Sequence, residues 1–348
     1  MTGYHSPQVS VKVRLNTNES PIAPPAEFTE ALAASVRDVQ WNRYPDRSAL
    51  ELRTAIGAMH DVGPENIFVA NGSNEVLQAV LLAYAGARRN VATFEPTYQL
   101  HSHIARITGA NVVSGRRNAD FTLDLSEVRR VLTEHQPSVT FLCSPNNPTG
   151  MAEDPNIVAA TIAEASGIVV VDEAYAQFSA HTALGYVLDG VNDGSRVAVS
   201  RTFSKTWSMA AARLGYLVAP SWMIADLEIV TLPYHLDALK QVAGRVALRF
   251  VDHMQRGVQT VIAERERLLA AMRAMPLTVW PSQANFILFK PVHGSGKAVW
   301  QTLLDGGVLV RDCSSWDGLA DCLRVTVGTT AENDAFLGAL RGAVTARD

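Results

Sequence analysis

The sequence predicts an α/β protein: a largely parallel sheet covered by helices on both sides, followed by a smaller α+β unit. From about residue 48 to 220, short apolar runs alternate with helical stretches, the pattern of successive βαβ units. Within that region Ile168-Val169-Val170-Val171 is continuously apolar, as a strand buried on both faces must be. At 348 residues and 37.7 kDa the chain exceeds what one small core organises, so two domains are expected.

Residues 1–47 are rich in Pro, Asn and Ser and read as an extended arm rather than a core element, with one short helix from Ala26 to about Arg37. Ile67–Ala70 reads as a strand and Asn74 to Tyr84 as a helix. Val91–Phe94 is a strand, followed by a helix near 98–108. Val139–Cys143 is a strand, then a helix runs from about Asn156 to Ala165. Ile168–Val171, Val197–Val199 and Leu214–Val218 are further strands. After Ala219 the character changes. A helical region, broken within, covers about 237–273 and puts Glu264, Arg265, Glu266 and Arg267 on a solvated face. Strands near 286–289, 308–311 and 323–327 and helices near 297–305 and 332–345 complete the chain. The expected division is an arm over 1–47, a large domain over 48–245 and a small domain over 246–348.

With 47% hydrophobic and 18% charged residues the composition is that of an ordinary globular protein. A net charge of −4 and a pI near 6.1 give no attraction to nucleic acid or acidic membranes. No apolar run reaches the ~18 residues of a membrane span, and Met1 to Val13 lacks the apolar stretch of a secretory signal. Cys143, Cys313 and Cys322 form no CxxC pair and no metal-binding spacing. The expectation is therefore no metal, reduced thiols and a cytoplasmic location.

Two strand ends carry the chemistry. Val169-Val170-Val171 runs into Asp172-Glu173-Ala174-Tyr175, and Val197-Ala198-Val199 runs into Ser200-Arg201-Thr202-Phe203-Ser204-Lys205. A lysine amine forms a Schiff base with an aldehyde cofactor. An aspartate ending an apolar run wants a cationic partner, and a protonated pyridine nitrogen serves, making that ring an electron sink. Together these needs describe pyridoxal 5′-phosphate. Asn71-Gly72-Ser73-Asn74-Glu75 lies between a strand and a helix, where free N–H groups and the helix dipole suit a phosphate and Gly72 permits close approach; an ordinary N-cap by Ser73 or Asn74 is the alternative. Thr202, Ser204 and Arg213 add hydroxyls and a guanidinium to the same end. Ser144-Pro145-Asn146-Asn147-Pro148-Thr149-Gly150 is a rigid polar turn at a strand's C-terminal end, where open α/β sheets bind ligands, and it aims the Asn147 amide at a ligand oxygen. Tyr175 can donate to a ring hydroxyl. Arg311 and Arg324, near strand ends of the small unit, suit a carboxylate or phosphate. His101 and His103 read as solvated helix residues, and His293-Gly294-Ser295-Gly296-Lys297 as a turn before a helix, since it lacks the first glycine of a phosphate loop and has Ala298 in place of Ser or Thr.

The matching pieces Leu15 to Pro21, Arg43-Tyr44-Pro45-Asp46, Pro96-Thr97-Tyr98, Ser144 to Gly150, Asp172 to Tyr175, Arg201 to Lys205 and Leu323 to Thr329 resemble, in order, the fold-type-I PLP-dependent aminotransferases of class I/II, most closely those acting on L-histidinol phosphate. The resemblance implies a seven-stranded, mainly parallel sheet in an α/β/α sandwich plus a smaller domain. It implies that Lys205 carries the cofactor and moves the proton between Cα and C4′, that Asp172 holds the ring nitrogen, and that Tyr98 stacks on the ring. Asn147 and Tyr175 bond the phenolic oxygen, and Gly72, Ser73, Asn74, Thr202, Ser204 and Arg213 hold the phosphate. Tyr44 reaches the neighbouring subunit's cofactor, which implies a homodimer with shared sites. Arg324, with Arg311 and Asn147, grips the substrate. The implied reaction is transamination between L-histidinol phosphate and 2-oxoglutarate in histidine biosynthesis. Aromatic amino-acid transamination is the alternative, and a phosphoamino-acid decarboxylase or a non-catalytic PLP-binding regulatory domain are further ones. Where the family usually has Gly-Leu before the phosphate-binding arginine, this chain has Ala211-Ala212.

Overall fold

A computed structural model describes residues 9–190 and 195–345; residues 1–8 of the expected arm lie outside them. The chain begins with β1 (Val13–Leu15), α1 (Ala26–Arg37) and α2 (Leu50–Met59). Then come β2 (Ile67–Ala70), α3 (Ser73–Tyr84), β3 (Asn90–Glu95), α4 (Leu100–Ile107) and β4 (Asn111–Arg116). They are followed by α5 (Leu125–His135), β5 (Val139–Cys143), α6 (Pro155–Glu164), β6 (Ile168–Asp172), α7 (Leu184–Gly190), β7 (Val197–Thr202) and β8 (Gly215–Val218). Next are α8 (Ser221–Val230), α9 (Ala238–Leu248) and α10 (Val251–Arg273). The chain closes with β9 (Leu277–Val279), β10 (Phe286–Pro291), α11 (Gly296–Asp305), β11 (Val308–Asp312), β12 (Leu323–Thr326) and α12 (Thr330–Thr345). Local chemistry starts several helices: the Asp124, Asp154, Asp237 and Ser295 side chains each accept from a first-turn N–H of α5, α6, α9 and α11. The 293–297 turn is therefore a helix cap, as its sequence indicates.

Seven strands form one sheet in the order β2-β8-β7-β6-β5-β3-β4, and only β8 runs against its neighbours. Along β6, Ile168 and Val170 pack into one core cluster and Val169 and Val171 into another. The strand thus buries both faces, and helices cover both sides. A second sheet, β1-β11-β12-β10-β9, takes its edge strand from the start of the chain, with Val13, Arg14 and Leu15 parallel to Val308, Leu309 and Val310. The arm, expected to join the small domain and dimer contacts, thus adds a strand to the smaller sheet, and it is more than an extended tether: Leu15 of β1 and Phe28 of α1 are buried in the main core. Arg265 differs from expectation too. It is buried, and its Nη1 donates to the carbonyls of Phe178 and Ala284 at 3.2 Å each, so it ties α10 to two loops instead of facing water. Among the described residues no helix is long and apolar enough to cross a membrane.

Candidate active site

The C-terminal ends of the parallel strands converge. Cys143 at the end of β5 pairs in register with Asp172 at the end of β6, and Asp172 pairs with Ser200 on β7. Beside them lies a cavity of about 220 Å³, lined among others by Ser73, Asn74, Tyr98, Asn147, Asp172 and Lys205. Tyr175, Thr202, Ser204, Arg213 and Arg324 also line it. Eleven of the residues singled out in the sequence therefore meet in one place.

One end of the cavity is built for an anion. The first N–H groups of any helix lack intrahelical partners, and α3 opens there. Gly72 precedes it at φ 85°, a left-handed conformation glycine takes without strain. A Cβ on Gly72 would lie 2.8 Å from Arg213 Nη2, so the glycine lets that guanidinium cover the helix start. A Cβ on Gly215 would lie 2.2 Å from the Ser73 nitrogen, so a second bare position lets β8 approach. Arg213 Nη1 donates to Ser204 Oγ at 3.2 Å, and the Ser204 N–H donates to Thr202 Oγ1 at 3.1 Å. Neither Ser73 nor Asn74 caps α3; instead Glu75 Oε2 accepts the Asn71 N–H at 2.6 Å. With Ala211-Ala212 in a short 3₁₀ turn, Arg213 itself takes the left-handed conformation at φ 52°.

Asp172, buried, marks the other side. Ser200 Oγ donates to its Oδ1 at 2.9 Å, and His101 Nε2 lies 2.9 Å from its Oδ2. His101 is fully buried, stacked on Phe141 with ring centroids 4.5 Å apart. That corrects the solvated assignment: the first turn of α4 points this ring inward, under Tyr98, whose ring meets it edge-on at 5.4 Å. The Tyr98-x-x-His101 spacing, one helical turn, is the signal that could have flagged it. Tyr98 Oη donates to Asn74 Oδ1 at 3.1 Å, which links the ring wall to the anion end.

Lys205 follows β7, its Nζ donating to the Thr17 carbonyl at 3.2 Å and standing 5.8 Å over the Tyr175 ring. Burial foremost, then the Arg324 and Arg213 charges, lowers its pKa to about 7 against the opposing pull of Glu19, so a large neutral fraction exists near neutrality. Arg324, on β12, spans the mouth: Nη1 donates to Asn147 Oδ1 and Nη2 to the Asn16 carbonyl at 3.1 Å. The arm segment 16–18 thus forms part of the site, a contribution the sequence reading assigned to no residue. Three singled-out residues lie outside the cavity lining. Gly72 backs Arg213. Arg311, buried, pairs in register with Arg324, its guanidinium 5.8 Å from the Trp316 ring. Tyr44 is 79% exposed and stacks on Tyr234 at 4.5 Å. Among the described residues no His/Cys/Asp/Glu group could hold a metal ion.

These features fit a flat, phosphate-bearing pyridine: an anion cradle at one end, a carboxylate opposite, an aromatic wall and an amine of lowered basicity between them. The family of aminotransferases of class I and II matches residues 10–340. A histidinol-phosphate aminotransferase of Frankia casuarinae is 43% identical, the match covering 98% of this chain and 87% of that one. One of Thermobifida fusca is 45% identical, covering 97% and 91%. The structure of the histidinol-phosphate aminotransferase from Sinorhizobium meliloti in complex with pyridoxal-5′-phosphate superposes with a TM-score of 0.87 at 22% identity, covering 97% of this chain and 92% of that one; that likeness shows a common fold.

Proposed function

Because the chain belongs to the family of aminotransferases of class I and II, we propose that it transfers the amino group of L-histidinol phosphate to 2-oxoglutarate. The products are imidazole acetol phosphate and L-glutamate, the pathway is histidine biosynthesis, and the cofactor is pyridoxal 5′-phosphate. The observation that carries this reading is the meeting of Lys205, Asp172 and the α3 anion cradle in one cavity, together with relatives of that activity over nearly the whole chain.

When bound, the cofactor supplies a carbonyl that condenses with amines and a ring that withdraws electrons. The residues of this chain hold and use it. The α3 N–H groups, Ser73, Asn74, Thr202, Ser204 and Arg213 would hold its phosphate, and Gly72 leaves room for Arg213 to cover it. Asp172, oriented by Ser200 and His101, presents a carboxylate to the ring nitrogen. Tyr98 would wall the ring face, and Asn147 and Tyr175, which line the same cavity, would bond its oxygen. Lys205 Nζ, poised near neutrality, would carry the cofactor and serve as the base that takes the proton from substrate Cα and as the acid that returns one. Arg324 binds the substrate's phosphate and, in the second half-reaction, the 2-oxo acid's carboxylate, since its planar fork suits both anions; Arg311 beside it adds charge.

A homodimer with shared sites is part of the proposal. Trp41, Tyr44, Ile229 and Leu232 are each at least 70% exposed, and large apolar side chains open to water suit an interaction surface. A second copy covering them brings Tyr44 to the partner's cofactor. The seven-stranded sheet is read as the core of the large, cofactor-holding domain and the five-stranded sheet as that of the small one. Cys143, Cys313 and Cys322 are free and buried, which suits a reducing cytoplasm.

Borohydride reduction followed by peptide mapping tests the cofactor: a pyridoxyl adduct is expected on Lys205, and an adduct elsewhere overturns the site. Turnover with 2-oxoglutarate as acceptor tests the substrate. Histidinol phosphate is expected to be preferred over phenylalanine, and the reverse order makes the chain an aromatic amino-acid aminotransferase.

A further inference from the structure

Asn18 lies in the arm between β1 and α1, 1% exposed, with its backbone in the left-handed region at φ 54°. Asparagine is among the few side-chain-bearing residues that tolerate this. All its polar groups are engaged, by three different parts of the chain. Its N–H donates to Thr326 Oγ1 at 2.9 Å, and its carbonyl accepts from Asn285 Nδ2 at 3.2 Å. Its Oδ1 accepts from the Thr326 hydroxyl at 3.2 Å, and its Nδ2 donates to Tyr175 Oη at 3.0 Å.

The order of these bonds follows from donor and acceptor counts. A threonine hydroxyl has one proton. With the Asn18 N–H already on that oxygen, the proton goes to Asn18 Oδ1. A flipped amide would put two donors on Thr326 Oγ1 and strand its proton in a site only 4% exposed. The amide's NH₂ end therefore faces Tyr175. An NH₂ group offers no lone pair, so Tyr175 Oη accepts from Asn18 and its own proton must point elsewhere. The open direction is the cavity, which Tyr175 lines. The charged and titratable groups facing Tyr175 are Lys205, Arg324, Asp172 and Cys143. Burial foremost pushes the phenol pKa up, with Arg324 and the Asn18 bond opposing, so the hydroxyl keeps its proton.

We infer that Asn18 is a positioning residue: by donating to Tyr175 it turns the tyrosine's proton into the cavity, as a donor to the phenolic oxygen of the bound cofactor. The inference rests on the cofactor reading above. A donor on that oxygen competes with the proton held at Lys205 Nζ, so losing it raises the pH at which the bound cofactor's visible band changes.

The test is a spectrophotometric pH titration of the pyridoxal-phosphate-loaded wild type, Asn18→Ala, Thr326→Val, Tyr175→Phe and the Asn18→Ala/Tyr175→Phe double variant. Thermal unfolding of each cofactor-free protein runs alongside. Asn18→Ala is expected to raise the midpoint by about half a pH unit, Thr326→Val to raise it less, and Tyr175→Phe to raise it most. In the Tyr175→Phe background, Asn18→Ala is expected to add nothing. Equal shifts in both backgrounds, or no shift from Asn18→Ala and none from Thr326→Val, overturn the inference while leaving the cofactor reading intact. A wild type that shows no visible band and no pyridoxyl adduct on Lys205 overturns the reading itself. Should Asn18→Ala fail to fold, a Thr326→Val/Tyr175→Phe double variant closes the same cycle: a Thr326→Val shift that persists undiminished in the Tyr175→Phe background overturns the inference.

Discussion

Replacing Lys205 by methionine should stabilise the cofactor-free protein, and by an amount that depends on pH. The methionine keeps the length and apolar bulk of the stem and removes the amine. In the folded chain the amine's pKa is depressed from 10.5 to about 7, chiefly by burial, with Arg324 and Arg213 adding to it. The sign follows from proton counts. Between the two values the unfolded chain binds a proton that the folded chain does not, so the lysine opposes folding. That opposition is fully present below about pH 7 and fades as pH rises toward 10.5. The separation corresponds to about 4–5 kcal/mol at full effect. The residue is half-buried rather than sealed, so ~3 kcal/mol near pH 7 and about 1–2 kcal/mol near pH 9 are the expected gains. Urea unfolding of both proteins without cofactor, at about pH 6.5, 8 and 9.5, measures the gap. A stability gap that is constant across pH, or one favouring the lysine, refutes the argument that desolvation and the two arginines set the amine's basicity.

Other substitutions probe the remaining parts of the cavity. His101→Phe keeps the ring stacked on Phe141 but leaves Asp172 Oδ2 without its partner; a hydrogen bond to a charged group is worth about 1.5–3 kcal/mol, so kcat/KM should fall roughly 10- to 100-fold, and unchanged kinetics would show that Ser200 alone orients the carboxylate. Asp172→Asn should retain the fold and cofactor binding yet lose several kcal/mol of transition-state stabilisation, about tenfold in rate per 1.4 kcal/mol; full activity would remove the electron-sink role assigned to it. Gly72→Ala forces a Cβ to 2.8 Å from Arg213 Nη2 at a left-handed φ, so it should cost about 1 kcal/mol in stability and weaken pyridoxal phosphate affinity measured by equilibrium dialysis. Tyr44→Ala should leave the cofactor-free subunit's fold intact by circular dichroism while lowering turnover in the dimer, and unaltered turnover would place Tyr44 outside the partner's site.

The legible parts of this chain are those where local chemistry and local geometry agree. A strand buried on both faces of a parallel sheet must be apolar throughout, so β6 announces itself, and the polar residue that ends it, Asp172, is conspicuous for the same reason. Gly72-Ser73-Asn74 stands at the junction of β2 and α3, where backbone geometry already favours anion contacts, and Lys205 follows the C-terminal end of β7, where open α/β sheets place ligands. The half-exposed strand β4 carries weaker contrast and escapes such a reading; β1 and β9, three residues each, are too short for any periodicity.

Other features have no local cause. Nothing near His101 in sequence supplies Asp172, 71 positions away; that contact exists because α4 packs on α3, β3 and β4, from where the His101 ring stacks on Phe141 of β5 and reaches the end of β6. Asn18 meets Tyr175 and Thr326 across separations of 157 and 308 residues, and Arg324 meets the Asn16 carbonyl across 308. Residue types and strand-end positions are written in the order of the amino acids, so the reacting groups can be named from it. Their partners are chosen by the packing of the two sheets, which brings the arm, the β5–β7 ends and β12 to one point and gives Asn18, His101 and Arg324 partners that the linear chain leaves far away.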